Sequence, residues 1–143
     1  MAILRVTISN QLGEIRRLGF ALAEFLDEEG MPPAMSHRIK LVVEELVVNV
    51  IQHAFDDDAK HTILLDVRTE AGGVAIVVED DGRPFDPRAV SPPKINELLE
   101  AGKSGGLGVA IIKKVARDLE YVRADGKNRV RAFIAHGPKT GST

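Results

Sequence analysis

Glu45 and Asn49 interrupt an otherwise apolar run, Leu41-Val42-Val43-Glu44-Glu45-Leu46-Val47-Val48-Asn49-Val50-Ile51. A helix that is hydrophobic on nearly every side is one that the fold buries. Four residues apart, Glu45 and Asn49 lie one above the other on a single face. A carboxylate and an amide are costly to bury without partners. Either that face is wet or bonded to a neighbouring loop, or it lines a pocket. In a pocket, Asn49 offers a neutral oxygen to a hard cation and Glu45 a carboxylate that can take a proton.

Two further stations have the same character. Asp80-Asp81-Gly82 follows an apolar strand. An ionised carboxylate there accepts hydrogen bonds and so suits the exocyclic amine of adenine. Gly82 would let a flat group approach the backbone. Asp-Gly is also a common turn pair, and Asp81 competes with Asp80 because the alternation in this strand is weak. The third station is Gly105-Gly106-Leu107-Gly108 at a helix start. Free amides and the helix dipole favour an anion there, and Lys103 adds charge. The same glycines would also serve as a hinge. Neither a Walker loop nor a dinucleotide fingerprint is present. The signal is the three stations together, in this order.

The elements that position them follow from patterning. Ile3 to Ile8 predicts a strand, and Ser9 or Asn10 a helix cap. The first helix carries Ile15, Leu18, Phe20, Leu22, Phe25 and Leu26 on one stripe and stops at Gly30-Met31-Pro32-Pro33. Ser36 would cap the second helix, which runs to about His53. Asp56-Asp57-Asp58 lacks the alternating spacing and distal Glu of a calcium loop and reads as a solvated turn. Thr62 to Thr69 and Val74 to Glu79 are strands joined by a hairpin at Ala71-Gly72-Gly73. A Pro-rich stretch from Asp80 to about Ser104, with one short helix near Ile95 to Leu99, has the length of a functional lid or a disordered segment. The third helix places Leu107, Ile111, Ile112, Val115 and Leu119 on one face. Strands Tyr121 to Ala124 and Val130 to Ile134 flank the turn Asp125-Gly126-Lys127-Asn128. This order predicts an α+β fold of one domain over 1–136, a two-layer sandwich with a mostly antiparallel or mixed sheet covered on one face, and a loose tail over 137–143.

Composition narrows the function. The 143 residues carry a net charge of −2, which gives no nucleic-acid footprint. With no cysteine, disulfides, thiolate metal sites and a cysteine nucleophile are excluded. No stretch reaches the roughly 18 uncharged apolar residues of a spanning helix, and the N-terminus lacks a secretory pattern. A soluble cytoplasmic protein is the expectation.

Glu45-x-x-x-Asn49 with His53 resembles the N-box of the GHKL superfamily. Asp80-x-Gly82-x-Pro84-Phe85-Asp86-Pro87 resembles its first glycine box in the anti-sigma-factor form, and Gly105-Gly106-Leu107-Gly108 its second. The likeness spans nearly the whole chain and is nearest to the stand-alone anti-sigma and serine-protein kinase group. It implies a Bergerat-type ATP-binding fold with ATP and Mg²⁺ as cofactors. By position it makes Asn49 the Mg²⁺ ligand and Glu45 the general base. Asp80 would bind adenine and Gly82 would sit under the ring. Gly105, Gly106, Leu107 and Gly108, with Lys103 nearby, would line the phosphates. His53 fits the pattern, but a buried structural histidine is the preferred reading. His37 stands two turns before Glu45 on one helix, too close to act as the phosphoacceptor of a histidine kinase. The implied activity is phosphorylation of serine or threonine on a STAS-domain anti-anti-sigma protein, with a sigma factor as a second partner. The alternatives are a nucleotide-gated binding module and an ATP hydrolase. The resemblance also implies a homodimer; the first strand could extend a sheet edge.

Overall fold

A computed structural model describes residues 1–89 and 107–137. The chain runs β1 (Ile3–Ser9), α1 (Glu14–Glu28), α2 (Pro33–His53), β2 (Thr62–Glu70), β3 (Gly73–Asp80), a 3-10 turn (Pro87–Ala89), α3 (Leu107–Val115), β4 (Asp118–Ala124) and β5 (Lys127–Ala135). The strands form one antiparallel sheet in the order β1-β2-β3-β5-β4. The fold is therefore the expected α+β sandwich, with every strand pair antiparallel.

Strand alternation sorts the sheet into two faces. Val74, Ile76 and Val78 of β3 join the main core, which also takes in α1 and α2, whereas Ala75 packs with Phe133 and Ala135 in a separate small cluster. Helix α2 is the centre of the core layer: Met35, Ile39, Val42, Val43, Leu46, Val47 and Val50 are all buried. Among the described residues no helix is long and apolar enough to cross a membrane.

Several local expectations are corrected. Neither Ser9 nor Asn10 caps α1: the residue before the helix is Gly13, with no side-chain cap. A turn comes first, in which the Glu14 N–H donates to the Gln11 carbonyl at 2.9 Å. Ser9 instead donates to Glu14 Oε1 through its N–H (3.2 Å), and Asn10 Oδ1 accepts the His61 N–H at 2.9 Å. Phe20 lies off the buried stripe at 66% exposure, since two residues of helix place it about 200° from Leu18. Helix α2 starts at Pro33, whose missing N–H costs nothing in a first turn, and the Ser36 N–H already donates to the Pro32 carbonyl at 2.9 Å. Leu119 belongs to β4, because the chain has rejoined the sheet where the Arg117 N–H donates to the Phe133 carbonyl at 2.8 Å.

The last hairpin is tighter than expected. Asp125 and Gly126 both have positive φ (53° and 74°), the signature of a two-residue type I′ turn. Lys127 and Asn128 are thereby strand residues. The short helix expected near 95–99 and nearly all of the expected tail lie outside the described residues.

These burials predict unequal costs. Ile76→Ala, at a fully buried site, should lose about 2–5 kcal/mol of stability. Phe20→Ala should stay within about 0.5 kcal/mol of wild type. Urea midpoints at constant slope check both.

Candidate functional site

One crevice is lined by α2 (Leu46, Asn49, Val50), β3 (Val78, Asp80), the loop after it (Phe85, Pro87) and β5 (Val130). It brings Asn49 of the first station together with Asp80 of the second. Asp80 ends β3 in the same alternation as Val74, Ile76 and Val78, so it points to the helix layer and is 3% exposed. Asp81 takes the other face, where its Oδ1 lies 3.2 Å from His61 Nδ1. The pleat thus selects Asp80 for the crevice.

The Asp80 carboxylate is held on one side only. Its Oδ1 accepts the Gly82 N–H at 2.8 Å and Asn128 Nδ2 at 2.9 Å, while Oδ2 has no partner among the described residues. Burial pushes the Asp80 carboxyl up; those two donors, Asn128 first, oppose the shift. Asn128 sits directly across from Asp80 in the β3–β5 register.

Gly82 is required by a close backbone approach. A Cβ there would meet the Ala54 carbonyl and come within 2.8 Å of Ala54 Cβ. The loop seals the C-terminus of α2: the Arg83 N–H donates to the Ala54 carbonyl and Arg83 Nε to the His53 carbonyl, both at 2.8 Å. These donors satisfy carbonyls that a helix end leaves orphaned. The structure thus gives this glycine a reason that is independent of any bound ring. His53 is half-buried and stacks on Phe85 with centroids 5.2 Å apart. Burial, then Arg83, pulls its pKa down.

The third station meets the first at Gly108, in the first turn of α3. A Cβ on Gly108 would run into Glu45 Oε2 and lie 3.9 Å from Asn49 Nδ2. Burial, then the charge of Glu44, pushes the Glu45 carboxyl up. Asn49 Nδ2 is buried and donates to nothing among the described residues. An amide in that state is costly unless a ligand completes it. Leu107 opens α3, whereas Lys103, Gly105 and Gly106 lie outside the described residues.

Residues 8–134 match the family model described as the histidine kinase-like ATPase domain. The chain belongs to that family. The serine/threonine-protein kinase BtrW of Bordetella bronchiseptica is 31% identical over 103 residues, covering 71% of this chain and 72% of the relative. The serine-protein kinase RsbW of Bacillus cereus is 28% identical over 131 residues, covering 88% of this chain and 72% of the relative. In the crystal structure of the SiaB-SiaC complex from Pseudomonas aeruginosa, one chain shares the fold with a TM-score of 0.63 at 20% identity, over 92% of this chain and 89% of that one. Within the histidine kinase-like ATPase family this chain stands with the serine/threonine-protein kinases, and its nucleotide is ATP.

For an ATPase-family domain the crevice is narrow, with about 10 Å³ of water-accessible space, roughly one water's worth. Sequence reasoning missed Asn128 and Tyr121 as parts of this site, and gave Phe85 only as a member of the first glycine box. The Asp125-Gly126 turn signature carried the usable signal, since a two-residue turn makes Asn128 a strand residue.

Beside the site, His61 faces two carboxylates: Nε2 lies 2.7 Å from Asp57 Oδ1 and Nδ1 3.2 Å from Asp81 Oδ1, with the ring stacked on Phe55. Only the imidazolium can donate to both. The hydrogen bond to Asp57 is the main cause that raises His61 above its ordinary 6.5, and the same bond lowers Asp57 below 3.8.

Two outcomes follow for this region. Gly82→Ala should cost about 1–3 kcal/mol in urea melts, because the loop must lift off Ala54. The His61 contribution to stability should be complete below pH 6.5 and fade as pH rises through its raised value, while that of Asp57 should fade as pH falls through its lowered one. In His61→Gln, the decline on the neutral side should flatten in a pH series of urea midpoints.

Proposed function

We propose that this chain transfers the terminal phosphoryl group of ATP to a serine or threonine of a STAS-domain anti-anti-sigma protein, with a sigma factor as a second binding partner. The observation that supports it is the convergence of Asn49, Asp80 and Gly108-backed Glu45 on one crevice region. The relatives named as serine-protein kinases give the reaction class. A homodimer in the cytoplasm completes the reading.

In this reading, Asp80 Oδ2 accepts a hydrogen bond from the adenine amine, leaving Oδ1 fixed. The Asn49 amide, whose Nδ2 has no partner among the described residues, fits a hydrated Mg²⁺ through its oxygen and a phosphate oxygen through Nδ2. Bound Mg²⁺ would supply charge neutralisation at the phosphates. Glu45 takes the proton of the attacking hydroxyl; burial raises its pKa, a shift in the direction that makes a carboxylate a stronger base. Gly108 leaves the space that the Glu45 carboxylate occupies. Gly105 and Gly106, with Lys103, supply phosphate contacts.

A second reading, a nucleotide-gated binding module, is favoured by the narrow crevice, since a nucleotide entering it would have to displace side chains that line it. Native lysate incubated with the protein and Mg-ATP, followed by phosphosite mapping of what co-purifies, decides between them. The kinase reading expects a serine or threonine phosphopeptide that Glu45→Ala reduces by about 100-fold or more. A wild-type rate in that variant would remove Glu45 as the base. Partner affinity that differs between ATP and ADP with no phosphopeptide would favour the module.

A further inference from the structure

We propose that Asn128 is a positioning residue that fixes Asp80 as a hydrogen-bond acceptor and so sets a preference for 6-amino over 6-oxo purine nucleotides. The proposal rests on Asp80 meeting the purine, as in the reading above.

The Asn128 amide has one orientation that its surroundings allow. Asn128 is 1% exposed, and its side chain makes four hydrogen bonds. Nδ2 donates to Asp80 Oδ1 at 2.9 Å and to the Arg83 carbonyl at 2.7 Å. Oδ1 accepts the Phe85 N–H at 3.2 Å and the Tyr121 hydroxyl at 2.6 Å. A backbone N–H can only donate and a backbone carbonyl can only accept. The Phe85 and Arg83 main-chain groups therefore settle which end of the amide is nitrogen. The flipped amide would set two donors against each other at Phe85 and two acceptors at both Arg83 and Asp80.

The Asp80 carboxylate inherits this direction. Two N–H groups, from Asn128 and Gly82, point at Oδ1, so a proton on that oxygen would face two donors. Oδ2 is the oxygen left for a ligand, and on an ionised carboxylate it can only accept. It therefore matches a 6-amino group and opposes a 6-oxo group. Without Asn128, burial at Asp80 would act against fewer donors, and a protonated Oδ2 could donate to a 6-oxo purine. Asp81 and Arg123, the other charged groups acting on this carboxylate, stay in place either way. Tyr121 serves at one remove, since its hydroxyl helps to hold the amide that holds the acid.

The test compares ATP with inosine triphosphate, which carries a 6-oxo group, by calorimetric titration of the whole chain with Mg²⁺ present. Wild type should favour ATP by about tenfold or more, and Asn128→Leu should contract that ratio towards one. Loss of fold alone would weaken both nucleotides together and leave the ratio standing. A folded Asn128→Leu that keeps the wild-type ratio overturns the proposal. If circular dichroism shows that variant to be unfolded, Tyr121→Phe decides: a several-fold contraction supports the proposal, an unchanged ratio overturns it. Wild type that binds ATP and inosine triphosphate equally overturns it too, while leaving nucleotide binding intact. Wild type that binds neither removes the nucleotide reading itself, and this proposal with it.

Discussion

A carboxylate buried at the end of a central strand has to be satisfied from within the protein. Asp80 is that group, and much of the local architecture answers to it. Its neighbours along the strand face are Ile76 and Val78, which offer no hydrogen bonds. The donors come instead from the turn, through the Gly82 N–H, and from across the sheet, through Asn128. For Gly82 to present its N–H, the loop must lie directly on the end of α2, which is why no side chain fits there. That seating lets Arg83 close the last carbonyls of α2, the helix that carries Glu45 and Asn49. Satisfying one acid therefore also fixes the loop and the helix end that frame the crevice.

The three stations differ in how the fold treats them. Among the described residues, Asp80 has one oxygen fixed and one without a partner. Asn49 has a buried nitrogen with no partner among them. Glu45 is pushed up by burial and lies against the bare Cα of Gly108. Each is left partly unsatisfied in a direction that a ligand could complete. Polar atoms left without partners are expensive in a purely structural core, so Asn49 and Asp80 meeting at one crevice, with Glu45 one helical turn from Asn49, argues for binding. The neighbouring His61 cluster is the contrast: its contacts are matched within the protein, and it serves stability.

The layers were legible in the sequence because their signals are local. The 3.6-residue period of α2 and the hairpin chemistry of Gly72 and Asp125-Gly126 need no tertiary knowledge. Glu45 and Asn49 were legible for the same reason, since helical spacing alone puts them on one face. Asp80 against Asp81 was not, because a strand apolar on consecutive residues hides its own alternation. The reading of Phe20 as core failed because apolar character outweighed helical phase. Asn128 was out of reach for another reason: its role exists only through cross-strand register with Asp80, and that depends on pairing β3 with a strand some fifty residues later.

Crevice width makes the last link from fold to behaviour. Phe85 and Pro87 line the crevice together with α2, and the Phe85 ring is braced by His53 at the end of that helix. The Phe85 N–H is in turn tied to Asn128, which is tied to Asp80. A displacement of the Phe85 backbone would therefore strain the hydrogen-bonded unit that orients Asp80. The unit can stay intact only if the backbone at 85 holds while the ring and Pro87 swing outward. The side chain of Phe85 and the N–H of the same residue then have opposite duties, one to yield and one to remain. Such a division is physically available because a ring can change rotamer at far lower cost than a buried amide can lose four partners.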